Sequence, residues 1–174
     1  MTMETPSTDI SIRDVEDRDI AAITDIYAEN VLNDTASWEY DPPGMEEMRR
    51  RMDAIVDGGY PYLVATSNGT VVGYSYASAY RTRIGYRYVV ENSVYIHHEA
   101  RGRGVGRLLM ERLMHECTVR GYRQMVAVIG DSANVASIRM HETLGFRHVG
   151  LLPAIGIKFD RWLDSVMMQR ELGP

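Results

Sequence analysis

Residues 91–117, ENSVYIHHEARGRGVGRLLMERLMHEC, form the stretch that decides the fold. The β-formers at Val94–Ile96 predict a strand, and apolar residues recur at helical spacing from Val105 to Cys117. Between them, glycines alternate with arginines over residues 101–107. A strand that leads through a glycine-rich turn into a helix creates an anion site, because glycine allows close backbone approach and free amides attract phosphate oxygens. The stretch therefore predicts a phosphate-binding strand–turn–helix unit.

The composition predicts one soluble domain, residues 1–174, in which residues 1–9 form a loose tail. The net charge of −5 disfavours a nucleic-acid-binding surface. No apolar run approaches the roughly 18 residues of a membrane helix, and the polar start is not a signal peptide. The single cysteine, Cys117, excludes an internal disulfide, and no zinc-motif spacing is present. We therefore expect a cytoplasmic protein without a membrane partner.

The first half of the chain is predicted to contain a short strand, two helices and a hairpin. Pro42 and Pro43 forbid a helix before Gly44, and Asn68-Gly69 is the strongest hairpin signal in the chain. The predicted elements are a strand at Ile10–Arg13, helices over Ile20–Val31 and Met45–Val56, and strands at Tyr62–Thr66 and Val71–Ala79.

The second half is predicted to alternate strands and helices. A strand at Arg87–Ile96 leads into the glycine turn. The apolar run within Gln124–Gly130 is typical of a central strand covered on both faces. A helix from Asn134 to Leu144 follows, with capping oxygens at its start. Two closing strands are predicted at Phe146–Leu152 and Ser165–Glu171, and the segment IGIKFDRWLD between them is predicted to be irregular.

Two common phosphate-binding templates do not fit the glycine turn. A P-loop requires GxxxxGK[ST], and no Lys-Ser or Lys-Thr follows these glycines. A dinucleotide-binding fold would place GxGxxG in the first βαβ unit, whereas this chain has GxGxG late in its sequence. The turn therefore serves another phosphate ligand.

The turn and a downstream segment resemble the two landmarks of one family. Arg101–Gly106 (RGRGVG) resembles the (Q/R)xxGx(G/A) turn with which the GNAT superfamily of N-acetyltransferases grips the pyrophosphate of acetyl-CoA. Residues 134–146 (NVASIRMHETLGF) resemble its second landmark, N-x-x-A-x-x-(hydrophobic)-(Y/H)-E-x-x-G-F. Together the motifs are specific for this superfamily and its fold.

The likeness extends over almost the whole chain. ENSVYI, RQMVAVIGDSAN, KFDRWLD and the final MQREL resemble the phosphinothricin and methionine sulfoximine acetyltransferase branch, which acetylates the α-amine of small amino-acid analogues. The resemblance implies the α+β GNAT fold, with a central mixed, mostly antiparallel β-sheet flanked by helices. It also implies acetyl-CoA as co-substrate, no metal, a small-molecule amine as acceptor, and a homodimer.

The resemblance assigns the contacts to acetyl-CoA. The strand at Val94, Tyr95 and Ile96 would offer backbone groups to the pantetheine arm and the thioester carbonyl. Asn134 would hydrogen-bond the pantetheine, and a helix-capping role is compatible with that contact. The pyrophosphate would be held by the turn, which consists of Arg101, Gly102, Arg103, Gly104, Val105, Gly106 and Arg107.

Glu91 is the candidate general base. It lies just before the cofactor strand, where this branch places a catalytic glutamate. Acting directly or through a water molecule, it would take a proton from the substrate ammonium. Partial burial would raise its pKa toward the useful range. The alternative is an ordinary solvated strand glutamate.

Three histidines are weaker candidates. His141 occupies the position where many relatives carry a tyrosine that protonates the CoA thiolate, so it is either the general acid or a packing residue. His97 and His98 lie at the mouth of the glycine turn. Because adjacent strand residues point to opposite faces, at most one of them would face the site, and we expect surface histidines.

The acceptor pocket is predicted from two loops. A substrate carboxylate favours an arginine, because guanidinium matches it in a bidentate manner. Arg81 and Arg83 are the candidates, in the irregular stretch before the strand of Glu91. Aromatic walls would come from Tyr80, Tyr86 and Trp38. Solvated arginines, and a Trp38 that only packs on the core, are the alternatives.

Three functions remain compatible with the sequence. The leading hypothesis is an acetyltransferase of small amino acids or their analogues, of the phosphinothricin, methionine sulfoximine or methionine sulfone type. The second keeps the fold but acetylates a protein N-terminus, a peptide or a polyamine. The third is a non-catalytic acyl-CoA-binding sensor, against which Glu91 speaks.

Overall fold

Seven strands form one sheet in the computed structural model, which describes residues 10–173. The strands are β1 (Ile10–Asp14), β2 (Tyr62–Ser67), β3 (Thr70–Ala79), β4 (Val89–Ile96), β5 (Gln124–Gly130), β6 (Arg147–Lys158) and β7 (Arg161–Glu171). Their order across the sheet is β1-β2-β3-β4-β5-β7-β6. The pair β4–β5 is parallel and the other pairs are antiparallel. The predicted mixed, mostly antiparallel sheet is confirmed.

Helices cover both faces of this sheet. They are α1 (Ile20–Asn33), α2 (Met45–Asp57), α3 (Val105–Val119) and α4 (Val135–Thr143). The apolar stripe of α3, including Leu109, Leu113 and Cys117, is buried as its spacing predicted. Within residues 10–173, no helix is long and apolar enough to cross a membrane. The predicted tail at residues 1–9 lies outside the described part of the chain.

Each face of the sheet has its own core because strand residues alternate in direction. On one face, α3 packs against residues such as Leu63 and Val90. On the other, α1 and α2 pack against tyrosines that include Tyr74. In β4, Val94 and Ile96 belong to the α3 face, whereas Tyr95 belongs to the α1 face. The strand can therefore serve both sides of the sheet.

The sheet divides in its centre, where β4 and β5 separate. Their parallel pairing covers only three residues of each strand and ends at Glu91 opposite Val126. The pairing of β4 with β3 continues to Ile96. From Asn92 onward, the edge of β4 that faces β5 therefore has no strand partner, and a cleft opens between the two strands.

The prediction of an irregular segment at residues 155–164 is wrong. These residues continue one long β6–β7 hairpin, which turns at Phe159 and Asp160 with positive φ angles of 51° and 56°. The pattern was hidden because β6 is an edge strand whose apolar residues stay exposed. A register shift between Leu152 and Gly156 also breaks the two-residue period.

Candidate active site

Two connected clefts lie at the division of the sheet. The first, the fork cleft, has a volume of about 280 Å³, and Glu91, His141 and Trp38 line it. The second, the turn cleft, has a volume of about 400 Å³ and runs along the glycine turn. Val94 and Asn134 line both clefts. A ligand long enough to reach from the turn into the fork would therefore contact the predicted motifs in one continuous groove.

The glycine turn presents backbone amides at the start of α3. Gly102 and Gly104 have φ angles of +72° and +79°, a conformation that side chains other than glycine rarely adopt. The first hydrogen bond of the helix runs from the Leu108 amide to the Gly104 carbonyl, at 3.1 Å. The amides that precede Leu108 in the turn are outside this ladder. Free amides at a helix start are the arrangement that the predicted anion site requires.

Two of the three arginines of the turn are held by carboxylates of the protein itself. Arg101 donates to the Asp34 carboxylate at 2.6 Å and to the Asn30 side chain at 3.2 Å, so it fastens the turn to α1. Arg107 pairs with Glu111 at 2.7 Å on the surface of α3. Arg103 is exposed and does not line the turn cleft, whereas the other residues of 101–107 do. The groups of the turn that remain available to an anion are therefore mainly its backbone amides.

The side chains of the cofactor strand divide between the two faces. Val94 and Ile96 line the turn cleft. The ring of Tyr95 instead packs edge-on against Tyr27, with ring centroids 5.1 Å apart, and burial raises its pKa well above the usual range. Tyr95 can therefore offer its backbone to a ligand in the turn cleft, but its ring belongs to the tyrosine cluster of the α1 face.

Glu91 lies where β4 and β5 separate. Its side chain is partly buried, and this desolvation raises the pKa of the carboxyl group, while the charge of Arg81 opposes the shift. No other side chain in the described part of the protein hydrogen-bonds the carboxylate. A free carboxylate with a raised pKa is suited to accept a proton at near-neutral pH.

His141 is buried and bonded on both ring nitrogens. Its Nδ1 lies 2.8 Å from the Ser137 carbonyl oxygen, and its Nε2 lies 3.1 Å from Oδ1 of Asn92. Both neighbours are acceptors, and a neutral imidazole has one N–H to donate. Burial lowers the pKa of His141, and the bond to Ser137 opposes this shift. Burial therefore favours the neutral ring, which has one N–H to share between two acceptors in the fork cleft.

Asn92 was missed by the sequence reasoning. Its amide donates to the carbonyl of Val126 at 3.2 Å, where the ladder between β4 and β5 stops. Its oxygen faces His141, so one buried side chain fixes both the end of the ladder and the histidine of α4. The available signal was a polar residue alternating with Val90 and Val94 on a core-facing side of the strand.

Asn134 caps α4, as its sequence position predicted. Its side-chain oxygen accepts a hydrogen bond from the amide of Ser137 at 3.3 Å. The same residue lines both clefts. A cap and a ligand contact are therefore compatible at this position.

The loop between α1 and α2 forms one wall of the fork cleft. Trp38 lines the cleft and also packs on β6, where a Cβ added to Gly156 would lie 2.3 Å from its ring. Lys158, only 1% exposed, donates to the carbonyl oxygens of Asp34 at 2.7 Å and Ser37 at 2.6 Å. The sequence reasoning missed Lys158. This buried cation holds the loop that presents Trp38.

The predicted acceptor residues at 80–86 form a separate group, in which Tyr80 is half-buried and the others are exposed. Tyr80 and Tyr86 pack edge-on, with ring centroids 5.8 Å apart, and the Arg81 guanidinium lies 5.2 Å from the centre of the Tyr80 ring. None of them lines either cleft, and neither does the exposed Arg83. Only the charge of Arg81 acts on the fork, through its effect on Glu91.

A family model and the site define the class of protein. The model described as "Acetyltransferase (GNAT) domain" matches residues 12–167, which include the divided sheet, the glycine turn and α4. This arrangement is that of an N-acetyltransferase. The chain belongs to the GNAT family, as the resemblance of its motifs predicted.

Comparison with individual relatives shows which branch of the family the chain belongs to. The chain is 48% identical to the phosphinothricin N-acetyltransferase of Alcaligenes faecalis, over 93% of this chain and 82% of the relative. It is 42% identical to the L-methionine sulfoximine/L-methionine sulfone acetyltransferase of Salmonella typhimurium, over 94% of this chain and 95% of the relative. The fold also matches the crystal structure of a phosphinothricin acetyltransferase from Sinorhizobium meliloti with acetyl-CoA. The TM-score is 0.92 and the identity 48%, over 94% of this chain and 89% of that chain. The chain falls in this branch of the family.

The protein is an acetyl-CoA-dependent N-acetyltransferase. Its turn cleft fits that co-substrate: free amides at a helix N-terminus suit a pyrophosphate, and Val94 and Ile96 give the same cleft an apolar side. Bound acetyl-CoA supplies an activated acyl thioester. The turn cleft adjoins the fork cleft, where Glu91 and His141 lie.

Proposed function

We propose that the enzyme acetylates the α-amine of a small amino acid or analogue, of the phosphinothricin, methionine sulfoximine or methionine sulfone type. The observation that carries this is the free, partly buried carboxylate of Glu91 in the fork cleft. The named activities of the Alcaligenes and Salmonella relatives support the substrate class. Glu91 acts as the general base.

The reaction uses groups on both sides of the fork. Glu91 takes a proton from the substrate ammonium, directly or through one water molecule, and the neutral amine attacks the thioester carbonyl. Backbone N–H groups on the unpaired edge of β4 stabilise the oxyanion that develops. The C–S bond then breaks, and His141 gives a proton to the departing thiolate. The acylated nitrogen loses its second proton, which restores His141, and Glu91 releases the first proton to solvent.

The co-substrate is held mainly by the backbone. The amides of Gly102–Arg107 bind the pyrophosphate, as their position outside the helical ladder supports. Val94 and Ile96 contact the pantetheine arm, and Tyr95 contributes its main chain. Asn134, which lines both clefts, hydrogen-bonds the same arm.

The acceptor is recognised by side chains from separate loops. Trp38 forms an aromatic wall of the fork cleft. Arg81 binds the carboxylate of the amino acid, because its charge already acts at Glu91 and guanidinium pairs with carboxylates in a bidentate manner. Tyr80 and Tyr86 pack beside Arg81, and Arg83 adds positive charge to the same loop.

A second copy of the chain covers the outer face of the β6–β7 hairpin. β6 is an edge strand, so its outer backbone edge is unpaired. Large apolar side chains are exposed around it: Leu151, Leu152, Ile155, Ile157, Phe159 and Trp162, between 44% and 68% exposed. A contiguous apolar patch of this kind is unusual on a monomer's surface. In a two-fold dimer the same patch of each protomer would pack against its counterpart.

Light scattering tests this assembly. It should give the mass of a dimer for the parent protein and that of a monomer for Ile155→Asp.

A thiol-release assay across a panel of amines tests the proposed function. The panel contains methionine sulfoximine, methionine sulfone and phosphinothricin, with an N-terminal peptide and a polyamine as comparisons. We expect turnover with the amino-acid analogues. Turnover confined to the peptide or polyamine would contradict the acceptor class. Acetyl-CoA binding without turnover of any amine would contradict catalysis.

A further inference from the structure

Three metal-ligating side chains meet outside both clefts. Glu29 lies in α1, and His97 and His98 follow the end of β4. One ligand atom from each lies within 4.8 Å of those of the other two, and this is the one such group found among residues 10–173. None of the three lines the fork cleft or the turn cleft.

The two histidines lie side by side because the strand ends before them. Strand alternation predicted that they would point to opposite faces, but β4 stops at Ile96 and a 3₁₀ turn begins at His98. Their rings consequently stack, with centroids 4.4 Å apart and planes at 31°. Nδ1 of His98 lies 2.5 Å from Oε1 of Glu29. Two imidazoles and one carboxylate therefore converge on one place.

We propose that Glu29, His97 and His98 bind a divalent transition-metal ion of the Zn²⁺ type. Zinc takes imidazole nitrogen and carboxylate oxygen at about 2.0–2.2 Å, which places tetrahedral ligand atoms about 3.3 Å apart. The ligand atoms here are separated by 2.5 Å at the His98–Glu29 pair and by no more than 4.8 Å overall, so small side-chain rotations suffice. His98 is 57% exposed, which leaves room for water in the fourth position. Imidazole ligands favour zinc over Mg²⁺.

The ion joins α1 to the segment that opens the glycine turn. Arg101 already makes such a link, through Asp34 and Asn30 of the α1 end. The metal site lies on the same two segments, and Glu29 directly precedes Asn30 in α1. A metal that binds the folded chain stabilises it by mass action. The site takes no part in acetyl transfer, because its ligands lie outside the clefts.

Calorimetric titration of untagged, metal-stripped protein tests the site. With ZnCl₂ we expect one ion per chain, and with MgCl₂ no binding at matched concentration. His97→Ala, His98→Ala and Glu29→Gln should each weaken zinc binding by about tenfold or more, since even outer partners of metal ligands matter on that scale. Absence of zinc binding by the unsubstituted protein would overturn the proposal.

A second histidine–glutamate pair provides the matched control. Nε2 of His148 lies 2.9 Å from Oε1 of Glu142, with both side chains about half exposed and no second imidazole in the group. His148→Ala should leave zinc affinity unchanged. Equal weakening by His148→Ala, or unchanged affinity in His97→Ala, would contradict a three-ligand site. His97→Gln, which keeps the side-chain volume, and the melting temperature without metal separate ligand loss from misfolding.

Discussion

The turn cleft and the fork cleft adjoin, yet they are built from different materials. The turn cleft runs along one continuous stretch, residues 101–107, whose amides before Leu108 lie outside the helical ladder, and Ile96 and Met140 add apolar side chains. The fork cleft is lined by residues of β4, β5, α4 and the α1–α2 loop, among them the ionisable side chains of Glu91 and His141. From this difference we expect co-substrate binding and acceptor chemistry to depend on largely separate sets of residues, with Val94 and Asn134 shared between them.

The two clefts also differ in their electrostatics. The turn presents amides at a helix start, where an anion is favoured without any buried charge. The fork instead contains a partly desolvated carboxylate, a buried imidazole and, behind its wall, the buried ammonium of Lys158. Substitutions in the fork should therefore change catalysis, and substitutions in the turn should change acetyl-CoA binding.

Glu91→Gln should give the largest effect. We expect kcat to fall by about 10²-fold or more, the scale of a lost general base, while the Kd for acetyl-CoA stays unchanged. Burial that raises the pKa of Glu91 means that ionisation costs stability as pH rises through that pKa. The variant should accordingly melt higher than the parent protein at pH 7. Stopped-flow thiol release, calorimetry and thermal melts measure the three quantities.

Asn92→Ala should lower kcat by roughly tenfold, since His141 and the end of the β4–β5 ladder would lose their common partner. The free energy of unfolding should fall by about 1–3 kcal/mol, because the buried hydrogen bond to the Val126 carbonyl would be lost. Asn33→Ala, which removes one exposed amide bond to the Glu29 carbonyl, is the control and should change neither. A kcat equal to that of the control would show that Asn92 does not contribute to catalysis.

Gly104→Ala should act on the turn cleft. The residue has a φ of +79°, so alanine there costs about 1–2 kcal/mol of stability. We expect the Kd for acetyl-CoA to rise by roughly fivefold, or about 1 kcal/mol. The kcat at saturating acetyl-CoA should change little. Gly85→Ala is the control, because a Cβ there meets open space. A loss of kcat without a change in the Kd for acetyl-CoA would contradict the assignment of co-substrate binding to the turn cleft.

Arg81→Ala should give the smallest effect. The KM for amino acids should rise by roughly threefold, and the KM for amines without a carboxylate should stay the same. Loss of its charge beside Glu91 should also raise the pKa of that carboxyl group further. Equal changes in KM for both kinds of amine would exclude Arg81 from carboxylate recognition.

The difference between the two clefts also explains which of their residues the sequence could predict. The turn, its strand and the cap at Asn134 are local patterns, in which neighbours along the chain are neighbours in space. Asn92 meets His141 across 49 residues, and Lys158 meets Ser37 across 121. No short-range pattern encodes such contacts, so both residues were missed.

The edge of the sheet was also beyond local prediction. Periodicity reports burial, and the apolar residues of β6 are exposed on the described chain. The turn at Phe159 and Asp160 uses positive φ angles without glycine, so the usual turn signal was absent. Likewise, the direction of His97 depended on β4 ending at Ile96, a boundary that propensity does not fix.

The pH dependence of kcat/KM for an amino-acid acceptor, measured on the parent protein and on Glu91→Gln, tests the central claim most directly. Burial raises the pKa of Glu91, so the parent rate should fall on the acid side through an apparent pKa above that of an ordinary glutamate. In Glu91→Gln this acid limb should disappear, together with most of the rate. An unchanged rate near neutral pH, with the same acid limb in both proteins, would contradict Glu91 as the base.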